Sequence, residues 1–152
     1  MKPAIRDRAR DRLDSKLTSI KPIDRFAMPP KGWIRAIRDA IGMTGAQLGN
    51  RLGMTAQGVV SLERSEANGT IRLNTLRRAA EAMDCVLVYA LVPDTSLAEM
   101  VDRRAREIAL RALGRVSHSM ALEDQQVDRD LEKRIQTYIE TALRDRDLWE
   151  SA

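Results

Sequence analysis

The chain has 152 residues, of which 43% are hydrophobic and only 3% aromatic. This length suits one domain with appended helices, and apolar content dominated by Ala, Leu, Ile, Val and Met favours packed helices over a β-sandwich or barrel. The only cysteine is Cys85 and the only histidine is His118. One cysteine cannot form an internal disulfide or a cysteine metal cluster, and one histidine leaves almost no residues for a metal site or histidine-based catalysis. We therefore expect no enzyme activity, no metal and no cofactor.

The charges are distributed unevenly along the chain. Residues 1–38 hold 11 Lys and Arg against 4 Asp and Glu, residues 39–92 hold 5 of each, and residues 93–152 hold 10 against 13. A basic N-terminal part and an acidic C-terminal part suggest two different partners, with nucleic acid favoured for the basic part. The alternative is that the Arg-rich helices only promote solubility.

The sequence also predicts where the protein resides. The first 20 residues are rich in charge and lack the apolar stretch of a signal peptide. No apolar run approaches the length of a membrane span. We expect a cytoplasmic protein with no membrane partner.

Residues 1–20 are predicted to form a basic helix, because an apolar residue recurs every four positions between arginines. These apolar residues are Ile5, Ala9, Leu13 and Leu17. We expect this stripe to dock the helix on protein, while some of the arginines contact DNA. Residues 21–32 contain three prolines and a glycine, which predicts a linker.

Residues 33–84 are predicted to form a helical domain. One helix starts near Trp33, and two more follow the expected N-caps Thr44 and Thr55. A fourth resumes the helical period from Leu73 to Met83.

The segment from Gly45 to Arg64 has the spacing of a helix-turn-helix motif. That motif needs a small residue where the helices touch, here Gly49, and a glycine at the turn, here Gly53. Apolar residues at fixed offsets lock the helix crossing. These are Leu48, Leu52, Val59 and Leu62. The alternative interpretation is a plain helical hairpin within a bundle.

The second helix of this motif would present its first turns to the major groove of DNA. Gln57 can bond adenine bidentately, Ala56 can touch a thymine methyl, and Ser61 can reach a base or a phosphate. Arg64 is better placed for a phosphate. The predicted DNA-binding residues are Thr44, Gln47, Thr55, Ala56, Gln57, Gly58, Ser61 and Arg64.

Residues 85–93 break the helical period with a β-branched run that is apolar on both faces, CVLVYALV followed by a proline. A lone strand needs a partner for its backbone, and the same strand of a second copy would supply one across a dimer axis. The predicted dimer-strand residues are Val86, Val88, Tyr89, Ala90 and Val92. The alternative is a further turn of buried helix.

Residues 96–152 are predicted to form a helical region for partner binding or dimerisation. Ser96 and Glu99 have the spacing of a capping box that opens a long helix ending near Gly114. A last helix is expected from about Glu123 to Leu148. The predicted fold is thus mainly α, with one short strand.

Two resemblances extend this interpretation. Met43 to Arg64, followed by Leu76 to Met83, resembles the XRE (lambda-repressor-like) helix-turn-helix family. That family's pattern ends in Glu-Arg-Gly, here Glu63-Arg64-Ser65. Members of that family often have Gln at the first position of the second helix of the domain. This chain has Gly45 there, so a phosphate contact that is usual in the family is missing.

Motifs along nearly the whole chain are similar to those of the mobile mystery protein A family. They are PPKGWIR at 29–35, Met43-Thr44, Glu63-x-x-Glu66, VYALVP at 88–93 and Met120-Ala121-Leu122-Glu123. Members are usually encoded beside mobile mystery protein B, which carries a Fic domain. Fic domains commonly transfer AMP from ATP onto target proteins, and some are toxins. The resemblance implies an antitoxin-like regulator in a bacterial two-gene module. Together with the predicted DNA-binding helix and dimer strand, we expect a homodimeric autorepressor that binds its own promoter and restrains a Fic-domain toxin.

A possible inhibitory motif lies between the two last predicted helices. Fic inhibitors typically present Ser/Thr-x-x-x-Glu-Gly/Asn, and Ser119 and Glu123 match its first part whereas Asp124 departs from its last position. Such a pattern also arises by chance at the start of a solvated helix. The alternative function is a stand-alone phage- or plasmid-type XRE repressor with no toxin partner.

Overall fold

The computed structural model describes residues 3–114 and 126–150, and this part of the chain is mainly helical. Its helices are α1 (Pro3–Thr18), α2 (Trp33–Ala40), α3 (Gly45–Leu52), α4 (Ala56–Ala67), α5 (Leu73–Ala82), α6 (Leu97–Gly114) and α7 (Gln126–Thr141). Two short 3-10 turns span Ile23–Phe26 and Asp145–Leu148. Among these elements, no helix is both long and apolar enough to cross a membrane.

The chain divides into two compact units. The central unit is Lys21–Leu91 and contains α2 to α5. The terminal unit combines Met1–Ile20 with Val92–Ala152 and contains α1, α6 and α7.

The central unit has a core to which all four of its helices contribute. The buried apolar residues are Ile34 of α2, Leu48 of α3, Val59 and Leu62 of α4, Ala79 of α5, and Met83 just beyond it. Local signals set the helix boundaries, since the expected N-caps Thr44 and Thr55 are confirmed. After α4 the chain turns through Asn68 to Gly69, whose positive φ of 71° suits glycine.

The terminal unit packs α6 against both α1 and α7. Its buried apolar residues are Ala105, Ala109, Ile135 and Leu148. One half of the expected capping box of α6 is present, because Ser96 Oγ accepts a hydrogen bond from the backbone N–H of Glu99 at 3.0 Å. Arg106 on α6 donates to Glu132 on α7 at 2.6 Å, which joins these two helices on their exposed side.

The apolar stripe of α1 does not lie on one face within this chain, and whether its exposed part docks on a partner stays a prediction. Ile5 and Leu13 are half-exposed, whereas Arg6, Arg10, Asp14 and Leu17 form the more buried face. Residues exactly four apart drift by about 40° per step around a helix of 3.6 residues per turn, so the stripe cannot stay on one face. Polar contacts hold α1 instead: Arg6 pairs with Asp145, and Asp14 binds the first turn of α6.

The last helix is shorter than the sequence pattern suggests. It ends at Thr141, and a 3-10 turn over Asp145–Leu148 follows it. The carboxylate of Asp147 accepts from the backbone N–H of Arg144 at 3.1 Å, a local bond that starts this new turn rather than continuing α7.

Residues 85–93 do not form a helix, so the alternative of a further helical turn is wrong. Within the described part of this single chain they form no β-ladder either. The segment runs from Cys85 to Pro93 without a turn or bend, and most of its apolar side chains are exposed.

Candidate nucleic-acid interface

Two glycines fix the connection between α3 and α4. Gly53 ends α3 in the left-handed conformation, with φ 69° and ψ 35°. A Cβ on Gly49 would lie 2.6 Å from the carbonyl oxygen of Met54, so only glycine allows the chain to approach this closely. These are the two places where the motif requires small residues. Of the four predicted locking residues, Leu48, Val59 and Leu62 are buried, and Leu52 is half-buried against the same core.

The two N-caps use side chains that were predicted to contact DNA. Thr44 Oγ1 accepts from the N–H of Gln47 at 3.1 Å, and Gln47 Oε1 accepts from the N–H of Thr44 at 2.8 Å, which completes a capping box. Thr55 Oγ1 accepts from the N–H of Gly58 at 3.0 Å. The side chains of Thr44, Gln47 and Thr55 remain exposed, whereas the residue Gly58 is half-buried. Their oxygens therefore orient the two helices, whatever else they bind.

Helix α4 has two different faces. The inner face buries Val59, Leu62, Glu63 and Glu66. The outer face exposes four of the predicted DNA-binding residues and makes no side-chain hydrogen bond or ion pair with other described residues. These are Ala56, Gln57, Ser61 and Arg64. Their polar groups are thus available to a ligand outside the chain.

A buried ion pair anchors the inner face of α4. Arg38 Nε on α2 donates to Glu63 Oε1 at 2.6 Å, and both side chains are nearly enclosed. The hydrogen bond to Glu63 raises the pKa of the Arg38 guanidinium, against the opposing effect of burial. Arg38 also donates to the carbonyl oxygen of Met43 at 2.8 Å. One guanidinium therefore joins α4 to the turn that precedes α3.

A second carboxylate on the same face caps α2. Glu66 accepts from the backbone N–H of Trp33 at 3.0 Å and from that of Ile34 at 2.9 Å. It replaces a side-chain cap, because the N-cap residue of α2 is Gly32, which has none. A Cβ on Gly32 would lie 2.6 Å from Glu66 Oε2, and its φ of 84° also favours glycine. Glu63 and Glu66 together fix α4 against α2.

The sequence reasoning missed the roles of Arg38, Glu63 and Glu66. Glu63 and Glu66 entered it only as part of a family resemblance. The available signal was their position: both carboxylates occupy the helical face that also carries Val59 and Leu62, where solvated residues are not expected. Buried carboxylates on an apolar face need partners, although their position in the sequence does not identify which residues these partners are.

The surface charge of the central unit is positive. Residues 21–91 carry 10 Lys and Arg against 6 Asp and Glu, and two of these carboxylates, Glu63 and Glu66, are buried inside the unit. Arg64, Arg72 and Arg77 are exposed and form no ion pair within the described ranges. Unpaired guanidinium groups on an exposed surface attract phosphates.

The other predicted site residues are those of the dimer strand and the pair Ser119 and Glu123. Val86, Val88, Tyr89 and Ala90 are exposed and Val92 is half-buried, all in the non-helical segment that follows α5. Ser119 and Glu123 lie outside the described residues. Where side chains are described, no group of three or more His, Cys, Asp or Glu could hold a metal ion.

Compared with models of protein families, with curated proteins and with solved structures, the chain gives no match.

Proposed function

We propose that the protein is a sequence-specific DNA-binding transcriptional regulator that reads the major groove with α4. The observation that carries this proposal is the contrast between the two faces of α4. Its inner face is fixed by the core, Glu63 and Glu66, while Gln57, Ser61 and Arg64 on its outer face bind no described residue. A rigid helix with free hydrogen-bonding groups is what readout of base edges requires.

The spacing of the outer residues suits a helix lying in the groove. Positions 57, 61 and 64 are four and three residues apart, so their side chains line one stripe. The 12 residues of α4 give a helix about 18 Å long, and the major groove, about 12 Å wide, admits it. Gln57 in the first turn is the proposed adenine reader, and Ser61 contacts the next base or a phosphate. Arg64, at the far end of the stripe, neutralises a phosphate.

A binding assay on the duplex upstream of the chain's own gene tests this proposal. We expect the double variant Gln57→Ala/Ser61→Ala to lose about 1–3 kcal/mol of binding free energy for each base contact removed, measured by fluorescence anisotropy. Gln136→Ala is the matched control, because Gln136 is an exposed glutamine on α7 of the other unit. Equal binding by the double variant and the wild type would contradict the proposed reader.

The salt dependence of binding separates phosphate contacts from base contacts. Arg64→Gln is expected to reduce the slope of log affinity against log salt by about 0.9, since one phosphate contact is lost. Gln57→Ala is expected to weaken binding without changing that slope. An unchanged slope for Arg64→Gln would place Arg64 away from the DNA backbone.

The proposal also includes the role of an autorepressing antitoxin that restrains a Fic-domain toxin. Its support is the resemblance of the sequence motifs and the pattern of Ser119 and Glu123. A carboxylate that pairs with the Arg needed to clamp the γ-phosphate would prevent productive ATP alignment. Glu123→Gly should then release AMP transfer by the partner while DNA binding is retained. Equal suppression of AMP transfer by the wild-type protein and by Glu123→Gly would reject the motif. The absence of any complex with the Fic-domain partner would favour the stand-alone repressor.

A further inference from the structure

The segment after α5 exposes an unusual amount of apolar surface. We call residues 86–91 the edge segment. Four of its six side chains are large, apolar and mostly exposed: Val86 at 86%, Val88 at 83%, Tyr89 at 66% and Leu91 at 88%. Contiguous exposure of this kind marks an interaction surface, whereas single exposed apolar residues are normal.

The backbone of the edge segment is also free. None of its N–H or C=O groups forms a hydrogen bond with another described residue, and no turn or bend interrupts it. An apolar groove of about 230 Å³ lies beside it, lined by residues such as Trp33, Ile37, Leu76 and Met83. Free ladder groups next to an apolar groove form the edge to which another strand can add.

We propose that the edge segment pairs with the same segment of a second copy in an antiparallel two-stranded ribbon centred on Val88. The charge pattern favours this occupant and this direction. Residues 85–92 carry no charge, so two copies do not repel each other along the ladder. Asp84 precedes the segment, and its carboxylate is 91% exposed although it lies 3.6 Å from the Arg51 guanidinium. Parallel pairing in register would place the two Asp84 residues side by side, which is unfavourable, whereas antiparallel pairing places them at opposite ends.

Symmetry limits the possible registers to those in which one residue faces its own copy. Directly opposite side chains in an antiparallel pair point to the same side of the ribbon, while successive side chains along a strand alternate. A two-fold axis must therefore pass midway between a residue and its own copy, which face each other across the ribbon. Centring on Val88 pairs residues 85–91, for example Val86 with Ala90 of the second copy. Centring on Tyr89 would instead bring Cys85 opposite Pro93, which has no N–H to donate. This inference concerns self-association alone and does not depend on the proposed DNA binding.

Sedimentation velocity of the full chain without DNA tests the interface. We expect wild-type dimers, and we expect monomers for Val88→Lys, which places two ammonium groups opposite each other on the axis. Ile41→Lys is the control, because Ile41 is 55% exposed in the same unit but outside the edge segment, and it should remain dimeric. Circular dichroism verifies that both variants fold. A monomeric wild type, or a Val88→Lys variant that remains dimeric, would overturn the proposal.

Cysteine cross-linking tests the register independently. In a Cys85→Ser background, single cysteines replace Val86, Val88 or Ala90 in turn. A cysteine at 88 should form disulfide dimers at least tenfold faster than one at 86 or 90, because only facing positions bring the Cα atoms within disulfide range. Similar rates at all three positions would indicate parallel pairing and overturn the antiparallel ribbon.

Discussion

Arg38 Nε lies 2.6 Å from Glu63 Oε1, so a partly buried guanidinium on α2 holds the inner face of the helix whose outer face is proposed to read DNA. The same guanidinium binds the carbonyl oxygen of Met43, immediately before the N-cap of α3. One side chain therefore contributes to the orientation of α4 relative to both α2 and the start of α3.

Removal of Arg38 should destabilise the central unit strongly. Arg38→Met leaves the Glu63 carboxylate buried without its cation, and we expect a loss of about 3 kcal/mol in the free energy of unfolding. Denaturant unfolding monitored by tryptophan fluorescence measures this loss. Arg35→Met is the matched control on the same helix, because the Arg35–Asp39 pair is exposed and its atoms are 3.6 Å apart. The control should lose about 0–1 kcal/mol. Similar losses in both variants would contradict the anchoring role of Arg38.

The close approach at Gly49 gives a second prediction. Gly49→Ala places a Cβ 2.6 Å from a backbone oxygen that cannot move independently, so we expect a loss of about 1–3 kcal/mol in unfolding free energy. Gly45→Ala in the same helix is the control. The nearest atom to its added Cβ is Val59 Cγ1 at 3.9 Å, so that variant should be neutral or slightly more stable. If Gly49→Ala is as stable as Gly45→Ala, the turn does not require a small residue.

In the terminal unit, the Asp14 carboxylate caps the N-terminus of α6, and its removal gives a third prediction. Its carboxylate accepts from the backbone N–H groups of Leu97 at 2.7 Å and Ala98 at 3.1 Å. Asp14→Ala should cost about 1 kcal/mol and accelerate hydrogen exchange at these two amides. Asp11→Ala removes an exposed carboxylate from the same helix and should leave that exchange unchanged. Unchanged exchange in the Asp14 variant would rule out the cap.

The locally encoded parts of the fold could be predicted from the sequence. Thr44 and Thr55 start helices with their own side chains, and Gly53 supplies the conformation that ends α3, so each signal lies within a few residues of its effect. The apolar periodicity of α4 likewise identified Val59 and Leu62 as core residues. These local signals agree with one another, which is why the helix, turn and helix were foreseeable.

The polar contacts that position the elements could not be predicted in this way. Glu63 and Arg38 are 25 residues apart in the sequence, and Asp14 and Leu97 are 83 apart. From the sequence alone, a charged residue in a helix is interpreted as solvent-exposed unless its distant partner is known. The contacts of Arg6 and Asp14 on α1 also join distant residues, so the apolar stripe of that helix gave no sign of them.

Selection of bound duplexes from a random pool tests the central claim most directly. The wild-type protein and Gln57→Ala should each be used to select DNA, and the two binding motifs compared position by position. If α4 reads the major groove through Gln57, the wild type should select a defined motif, and the variant should lose preference at one base pair of each half-site while retaining the rest. An identical motif from both proteins, or no motif from the wild type, would contradict the account.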